Sequence, residues 1–338
     1  MSIFDMGQDY RANGMRLVQW GRPTLPSRVA QFSFQTIRSA AMLIQTEKDE
    51  LAVALAGTYF SGCDSAYKAT EAFQRDVADH IDGRYNHFAD CVMPWLRRHM
   101  DIRDHAVVEV GSGTGSSTAA IAPHVRQVDC FEIDESSIAA AQARARILGY
   151  VDNVAHHKTT FDAHQALKIR TVDGVFLPAV LEHCTFSECI GLLRAAWTAL
   201  RSGGWLCVVD TPNRLCPLDH HTSFLPFFAS LPIEVRSAYA SRSPRPEFAR
   251  QFADPSDSTA SMRLTRWGCG ISYHEFEIAI GDGVHRWMVA DGWEPEINAA
   301  LGILPEDLST ELQVKMFAPH VHRAFGRRAL YFVVRKED

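Results

Sequence analysis

The sequence predicts an α/β protein built on a doubly wound, mostly parallel sheet, with a helical N-terminal region and an inserted lid. Three observations support this fold class. Between about residues 105 and 211, short apolar segments alternate with segments of helical periodicity, which is typical of parallel strands covered on both faces. The glycine-rich turn GSGTG at 111–115 follows the first apolar segment, and the apolar segment ALYFVVRK at 329–336 supplies a final strand.

Composition narrows the class of protein. The chain has 338 residues, of which 46% are hydrophobic and 22% are charged, so it is long enough for one large domain with appendages or for two smaller domains. The formal net charge is -6, and the basic residues are scattered along the chain. Because proteins that bind nucleic acid usually present a basic patch, we expect no nucleic-acid partner.

The N-terminus and the cysteines indicate where the protein works. The first residues, MSIFDMGQDYRANG, lack the basic start and apolar core of a signal peptide, and the longest apolar stretches, such as LAVALAGTYF, are too short to span a bilayer. The eight cysteines stand at irregular spacings without a C-x-x-C pair, which favours reduced thiols over disulfides. We expect a cytoplasmic protein with no membrane partner, and a homodimer is left open.

Residues 1–100 are predicted to form an arm followed by a helical region. Residues 1 to about 35 contain scattered glycines and prolines without clean periodicity, so we expect an irregular arm. From there to residue 100, apolar residues recur at helical spacing. The segment FADCVMPWLRRHM ends in basic residues, as helices prefer at their C-termini.

Residues 101–215 are predicted to form the ligand-binding core. The predicted strands are AVVEVG, VDCFEI, NVAHHKTT, DGVFLP and WLCVVD. Helices are predicted from Ser116, over ESSIAAAQARARILG and over GLLRAAWTALRSGG. Strands and helices that alternate in this way predict a parallel sheet.

Residues 216–290 are predicted to form the lid, and residues 291–338 are predicted to complete the sheet. Six prolines from Pro217 to Pro255 interrupt an irregular region that extends to about residue 268. Long irregular segments inside compact domains are typically binding loops or lids. The strand character of residues 329–336 then returns the chain to the sheet.

The spacing of the glycines after the first strand restricts the ligand. Glycines at a strand-to-helix turn let a ligand approach the backbone closely. A dinucleotide fingerprint requires G-x-G-x-x-G, whereas the glycines here are Gly111, Gly113 and Gly115, and no GK[ST] sequence for phosphate binding follows. Glu109 just before them would repel a pyrophosphate and suits a cationic ligand or one with hydroxyl and ammonium donors.

A second carboxylate, Glu132, stands near the end of the next predicted strand. An acid about twenty residues after a glycine turn accepts hydrogen bonds from ribose hydroxyls in nucleotide-binding proteins. Bare backbone combined with carboxylates therefore argues against NAD as the ligand.

The ordered segments EVGSGTG, FEID, TTFDA, DGVFLPAVLEH and ALRSGGWLCVVDTPN resemble the class I S-adenosylmethionine-dependent methyltransferases. The resemblance covers about residues 105 to 215, and the last predicted strand matches the family's final antiparallel strand. It implies a Rossmann-like fold with S-adenosyl-L-methionine as the cofactor. The cofactor-binding residues implied by motif match are Glu109, Gly111, Ser112, Gly113, Thr114, Gly115, Glu132, Ile133, Phe161, Asp162 and Leu177.

The resemblance also implies a role for each part of this set. The glycine turn would pass under the methionine part of the cofactor, Glu132 would hold the ribose, and Asp162 would meet the adenine amine. Leu177 to Ala179, which close the fourth strand, would lie beside the sulfonium. A helix N-cap is the alternative role for Asp162.

The implied function is methylation of a small-molecule or glycan-type metabolite at oxygen or nitrogen. Two alternatives stay open. One is another S-adenosyl-ligand enzyme on the same fold, such as an aminopropyl transferase or a cyclase, and the other is a cofactor-binding partner subunit without catalysis. The paired acids that a polyamine would require are not evident in the sequence.

Methyl transfer to a hydroxyl or amine requires in-line positioning and loss of a proton. The candidate bases are His183, in VLEHC, and His220 and His221, in LDHHT, because histidine accepts a proton near neutral pH. Asp219 is placed to orient an imidazole. The structural alternatives are a bond from His183 to a backbone carbonyl and a polar turn around Asp219.

We expect no metal ion. The cysteine and histidine spacings match none of the known structural zinc types. A catalytic metal held by Asp219, His220 and His221 is the alternative that stays open.

Overall fold

A computed structural model describes residues 42–169, 171–254 and 256–337 of the chain. The predicted arm at residues 1–35 lies outside these ranges. The seven strands of the sheet are β1 (Ala106–Val110), β2 (Gln127–Glu132), β3 (Val154–Lys158), β4 (Val172–Pro178), β5 (Leu200–Pro212), β6 (Met288–Asp291) and β7 (Ala329–Arg335).

The strands form one mixed sheet in the order β3-β2-β1-β4-β5-β7-β6. β1 to β5 are parallel, and β7 is antiparallel to both of its neighbours, β5 and β6. The predicted doubly wound, mostly parallel sheet is confirmed, and so is its antiparallel last strand. The carboxyl ends of β1, β2, β4 and β5 meet at one edge, where ligands bind in such sheets.

Fifteen α-helices lie in the described ranges, and they are numbered in chain order. They are α1 (Gln45–Gly57), α2 (Ser65–Lys68), α3 (Glu71–Ala78), α4 (Arg84–His87), α5 (Met93–His99), α6 (Ser116–Ile121), α7 (Glu135–Leu148), α8 (Ala163–Ile169), α9 (Phe186–Ala199), α10 (Ile233–Tyr239), α11 (Pro246–Ala249), α12 (Ala260–Trp267), α13 (Tyr273–Ile280), α14 (Pro295–Leu301) and α15 (Pro305–Phe317). No helix in this part of the chain is both long and apolar enough to cross a bilayer.

The two faces of the sheet carry separate hydrophobic cores. Val107 in β1 belongs to the core shared with α5 and α6, while its neighbour Val108 belongs to the core shared with α9 and α13. Successive residues of a strand point to opposite faces, so an apolar run such as β1 can be buried on both. This burial explains why the strands read as continuous apolar segments.

The N-terminal helices form a layer over one face of the sheet, as predicted. α3, α4 and α5 join into one continuous helical rod through widened π turns at Asp79–Gly83 and Phe88–Val92. Trp95 in the rod is fully buried in the core beneath it. We call this segment, 71–99, the N-terminal rod.

Arg144 of α7 ties the N-terminal rod to the glycine turn. Its guanidinium donates hydrogen bonds to the carbonyl oxygens of Thr114 at 3.0 Å, Ile81 at 3.1 Å and His80. The side chain is fully buried, and burial lowers the pKa of Arg144 to about 10. A buried guanidinium therefore has its acceptors in two separate parts of the chain.

The segment between β5 and α13, residues 213–272, is an insertion with a small core of its own. The buried residues of this core are Phe228, Ala240, Phe248, Phe252, Ala260 and Leu264. The predicted lid was bounded at residue 290, and the structure corrects this boundary. α13 packs against α9, with Phe276 buried in the sheet core, and β6 pairs with β7. The inserted segment therefore ends near residue 272.

Candidate active site

The glycine turn after β1 holds its three glycines in the left-handed region, with φ of 76° at Gly111, 51° at Gly113 and 78° at Gly115. Their surroundings differ. A Cβ atom on Gly115 would lie 3.0 Å from the Cα atom of Ala141 in α7, whereas a Cβ atom on Gly113 would have nothing within 4 Å. Gly115 thus lets α6 and α7 pack closely, and Gly113 presents bare backbone to a ligand.

Glu109 lies beneath this turn. Its side chain is fully buried and accepts hydrogen bonds from the hydroxyls of Ser117 and Thr118, the latter at 2.5 Å. Burial raises the pKa of Glu109, while the hydroxyl hydrogen bonds oppose that shift. The predicted direct contact of Glu109 with a cofactor is corrected, because its oxygens anchor the first turns of α6.

Ser112 and Thr114, which flank Gly113, are both buried. The hydroxyl of Thr114 pairs with Nδ1 of His80 in the N-terminal rod at 3.0 Å, so Thr114 joins the rod to the turn instead of facing a ligand as predicted. The hydroxyl of Ser112 has no hydrogen-bond partner among the described residues. Ser112 therefore stays a candidate for cofactor binding.

Glu132 ends β2 at the same edge of the sheet. One of its carboxylate oxygens accepts the N–H of Gly113 at 2.9 Å, and the other accepts the N–H groups of Ile133 at 2.7 Å and Asp134 at 3.0 Å. The side chain is only partly buried, and Ile133 beside it is 66% exposed. A fixed carboxylate next to an open apolar side chain fits a ribose and the flat base attached to it.

The other predicted cofactor residues have structural roles. Phe161 is buried against Phe131 with ring centroids 4.8 Å apart, and Leu177 is fully buried in the sheet core. Their side chains belong to the core, and their position beside the cofactor stays a prediction. The carboxylate of Asp162 accepts the first free amides of α8 at 2.9 and 3.0 Å. This N-cap was the alternative role for Asp162, and its contact with adenine stays a prediction.

A second group of polar side chains gathers beyond β4. The 3₁₀ turn Leu181–His183 carries Glu182 and His183, and the loop after β5 carries His221. One possible ligand atom from each of the three lies within 4.8 Å of the other two. We call these three side chains the Glu-His-His cluster. A Cβ atom on Gly111 would lie 2.9 Å from Val180, just before this turn, so the cluster adjoins the glycine turn.

The polar atoms of the Glu-His-His cluster are buried without partners. Glu182 is 0% exposed, and neither its carboxylate oxygens nor the Nε2 atoms of His183 and His221 have a hydrogen-bond partner among the described residues. Burial raises the pKa of Glu182 well above its usual range, and burial lowers the pKa of His183 to about 4 and that of His221 to about 3. Both imidazoles are therefore neutral at neutral pH.

Hydrogen bonds at Nδ1 fix the tautomers of both imidazoles. Nδ1 of His183 donates to the carbonyl oxygen of Arg266 at 3.0 Å. Nδ1 of His221 lies 2.9 Å from Oγ1 of Thr222, whose hydroxyl donates to the carbonyl oxygen of Gly268 at 2.7 Å, so Nδ1 carries the hydrogen here also. Both Nε2 atoms consequently keep their lone pairs.

The segment after α12 brings the two histidines together. A Cβ atom on Gly268 would lie 2.5 Å from Cε1 of His221, so this glycine leaves room for the imidazole ring. The N–H of Cys269 donates to the carbonyl oxygen of Glu182 at 2.7 Å. The insertion thus reaches back to the turn after β4.

Two predicted catalytic residues lie outside the cluster. The carboxylate of Asp219 accepts the amides of residues 221–223 at 3.2, 3.0 and 2.9 Å, so Asp219 shapes the loop instead of orienting an imidazole. Nε2 of His220 lies 3.9 Å from the carboxylate of Glu306. The predicted orienting role of Asp219 is corrected, whereas His183, His220 and His221 stay candidates.

A series of hydrogen-bonded polar side chains near the end of β5 was not predicted from the sequence. Asp210 has a positive φ of 55°, and its carboxylate accepts a hydrogen bond from Tyr331, whose hydroxyl lies 3.0 Å from Nε2 of His87. Burial raises the pKa of Asp210 to about 6. A strained carboxylate at the carboxyl end of a strand is a candidate functional group, and the acid in VVDTPN was its only sequence signal.

A family model matches part of the chain. Residues 108–206 match the family model described as a methyltransferase domain. With the strand order and the glycine turn, this identifies the segment as a class I, S-adenosylmethionine-dependent methyltransferase domain. The predicted fold class, type of enzyme and cofactor are confirmed for this domain. None of the curated proteins compared with the chain matches it.

Solved structures share parts of the fold. One is an O-methyltransferase family protein from Burkholderia thailandensis, with 18% identity, coverage of 43% of this chain and 44% of that one, and a TM-score of 0.33. Another is an amino pentose methyltransferase from Micromonospora echinaspora, with 21% identity, coverage of 41% of this chain and 56% of that one, and a TM-score of 0.33. A third is a phosphoethanolamine N-methyltransferase from Haemonchus contortus, with 19% identity, coverage of 52% of this chain and 34% of that one, and a TM-score of 0.33. The chain spans less than two thirds of each, and likenesses this weak bear on neither acceptor nor mechanism.

Proposed function

We propose that the chain transfers the methyl group of S-adenosyl-L-methionine to an oxygen or nitrogen atom of a small-molecule or glycan-type acceptor. The observation that carries this proposal is the adjacency of two different sites on one edge of the sheet. Bare glycine backbone beside Glu132 suits the cofactor, and the neighbouring Glu-His-His cluster offers buried polar atoms to a second ligand.

The residues at the first site fit the cofactor. The open backbone of Gly113 and the hydroxyl of Ser112 would lie against its methionine part, Glu132 would accept hydrogen bonds from its ribose, and Ile133 would cover its base. When bound, S-adenosylmethionine supplies a methyl group on a sulfonium, so that the acceptor–carbon bond forms as the carbon–sulfur bond breaks and the acceptor releases a proton.

The acceptor would lie at the ends of β4 and β5, beneath the insertion. The predicted lid, with the boundary corrected to residue 272, would cover it and exclude water. The groups that could receive the acceptor's proton are Asp210 and the two imidazoles. The pKa of His183, about 4, and that of His221, about 3, make both weak bases at neutral pH. Their lone pairs therefore suit binding better than proton removal.

The alternatives differ in what they require of the second site. An aminopropyl transferase would need paired acids that bind a polyamine cation, whereas Glu182 is the single carboxylate among the three side chains of the Glu-His-His cluster. A non-catalytic subunit would bind the cofactor without turnover. An assay with a set of hydroxyl and amine compounds as acceptors separates these alternatives from the proposal. The measured product is S-adenosylhomocysteine, which forms when a methyl group is transferred.

Calorimetric titration tests the cofactor directly. S-adenosylhomocysteine should bind at one site per chain, and at about a hundredfold excess over Kd it should raise the free energy of unfolding by about 2.7 kcal/mol. NAD should do neither. Binding of NAD in the absence of any response to S-adenosylhomocysteine would overturn the proposed function.

A further inference from the structure

Three features of the Glu-His-His cluster call for a ligand that the chain itself does not supply. A fully buried carboxylate without a hydrogen bond is strongly destabilising unless it is neutralised or paired with a cation. Glu182 is in that position, and one ring nitrogen each from His183 and His221 lies within 4.8 Å of one of its oxygens. One positive ion would satisfy all three groups together.

We propose that Glu182, His183 and His221 bind a divalent transition-metal ion. Two imidazole nitrogens and one carboxylate oxygen form a ligand set that such ions favour and that leaves further coordination positions open. No metal ion was expected from the sequence, and the alternative left open was a metal held by Asp219, His220 and His221. The structure brings together a different set, in which only His221 is shared.

The ligand atoms of the cluster lie within 4.8 Å of one another, farther apart than coordination requires, and one pair is considerably closer. Nε2 of His183 and Oε1 of Glu182 are 3.9 Å apart. Metal bonds of about 2.1 Å at angles between octahedral and tetrahedral place neighbouring ligand atoms roughly 3.0 to 3.4 Å apart. A contraction of less than about 1 Å in this pair therefore brings the two atoms to bonding positions, within reach of side-chain rotation.

The surroundings of the histidines match what metal ligands require. A metal-binding imidazole usually donates its second N–H to a carbonyl, a carboxylate or water, which fixes its tautomer and ring orientation. His183 donates to the carbonyl oxygen of Arg266, and His221 donates to Thr222. Thr222 is itself held by the carbonyl oxygen of Gly268.

The loop that carries His221 is held on several sides before any ion binds. Asp219 accepts its amides, and the guanidinium of Arg245 donates to the carbonyl oxygens of His221 at 3.2 Å and Thr222 at 2.9 Å. Ser243 donates to the carbonyl oxygen of Ser223 at 2.7 Å. A preorganised loop lowers the entropic cost of assembling the ligands.

The metal site also specifies the chemical class of acceptor, and this part rests on the proposed function. A metal ion with open coordination positions would act as a Lewis acid and lower the pKa of a hydroxyl group bound to it. The acceptor would then be a hydroxyl compound, preferably one with a second oxygen donor close by. Glu182, His183 and His221 would serve as ligands and not as general bases.

Cobalt titration of the whole chain tests the site without cofactor, acceptor or turnover. Protein freed of metal by a chelator should bind one Co²⁺ per chain and develop visible d–d absorption, Zn²⁺ should displace the Co²⁺, and Mg²⁺ should not compete effectively, since it prefers oxygen ligands. Glu182→Gln, His183→Ala and His221→Ala should each weaken Co²⁺ binding about a hundredfold or more. Absence of Co²⁺ binding by the unchanged chain would overturn the proposal.

Two further variants separate the cluster from its surroundings. His220→Ala removes the neighbouring imidazole outside the cluster and should leave Co²⁺ affinity unchanged. Thr222→Val, which removes the acceptor for His221, should weaken binding about ten- to a hundredfold, and Thr222→Ser should restore it. Equal losses in His220→Ala and His221→Ala, with circular dichroism showing both folded, would place the metal elsewhere and refute the site.

Titration of the same variants with S-adenosylhomocysteine keeps the two proposals apart. Retained S-adenosylhomocysteine binding with no Co²⁺ binding would refute the metal site alone. Co²⁺ binding that depends on the cluster, without any S-adenosylhomocysteine binding, would support the metal site and refute the proposed cofactor.

Discussion

The two halves of the functional edge differ in how far the chain satisfies its own polar atoms. Where β1 and β2 end, Glu109 has hydroxyl partners and Glu132 accepts three backbone amides. Where β4 and β5 end, the carboxylate of Glu182 and two histidine Nε2 atoms are buried without partners in the described part of the chain. In the first half the hydroxyl of Ser112 also lacks a partner among the described residues, but both carboxylates are hydrogen-bonded within the chain.

The halves also differ in how they assemble. Glu109 and Ser117 are 8 residues apart, and Gly113 and Glu132 are 19 apart. The second half joins His183 to the carbonyl oxygen of Arg266, 83 residues away. Local contacts close small loops at low entropic cost, while distant ones depend on the whole fold. The first half therefore depends on local contacts, whereas the second requires the insertion to be in place over the turn after β4.

The largest effect should come from Gly115→Val. A β-branched side chain in the left-handed region, pressed against Ala141 at 3.0 Å, should cost about 4 kcal/mol of unfolding free energy through combined strain and overpacking. Gly113→Ala, with nothing within 4 Å of its Cβ, should cost only about 1 kcal/mol. Urea denaturation of both variants measures the difference, and equal losses would contradict the separate roles assigned to the two glycines.

Glu132→Ala should produce the largest loss of cofactor binding. It removes the acceptor for the ribose and also the hydrogen bond that holds the N–H of Gly113, so S-adenosylhomocysteine affinity should fall by about 2 to 4 kcal/mol. Glu135→Ala, at an exposed position three residues later, is the control. Calorimetry on both decides the point. An unchanged Kd in folded Glu132→Ala would show that the glycine turn binds without this carboxylate.

Asp210→Asn should give a smaller, pH-dependent effect in the other half. Burial raises the pKa of Asp210 from 3.8 to about 6, so the folded chain favours the protonated carboxyl. The stability that this protonated side chain contributes below pH 4 is lost as the pH rises through 6. The neutral amide avoids this loss and should stabilise the chain by about 2 kcal/mol at pH 8. At pH 4 the difference should vanish. Urea midpoints that differ equally at both pH values would rule out this titration.

The contrast in assembly explains how much could be predicted. The β-strand pattern, the glycine spacing and Glu132 lie in short stretches of sequence, and they predicted the sheet and the cofactor. The cluster depends on three segments that meet only in the fold, so His183 and His221 were found but were grouped with Asp219 and His220. Glu182 was missed because the sequence does not show that its carboxylate is buried without a partner. The role of Thr114 also required the position of His80.

β6 was missed for a related reason. Its four residues, Met288–Asp291, are too few to show a period, and they follow a proline-rich segment that obscured the return to the sheet. α13 was assigned to the lid with them. β5 and the whole insertion separate it from its partner α9, and only the packed structure shows that Phe276 is a core residue.

Arg144 links the segment that matches the family model to helices outside that segment. The segment that matches the methyltransferase family model, 108–206, contains the guanidinium but only one of its three carbonyl acceptors, since His80 and Ile81 lie in the N-terminal rod. A fragment cut at the family boundary would leave a positive charge at the base of the glycine turn short of two acceptors, and would strip Trp95 from the core. The helices before residue 108 therefore contribute to the structure of the cofactor edge.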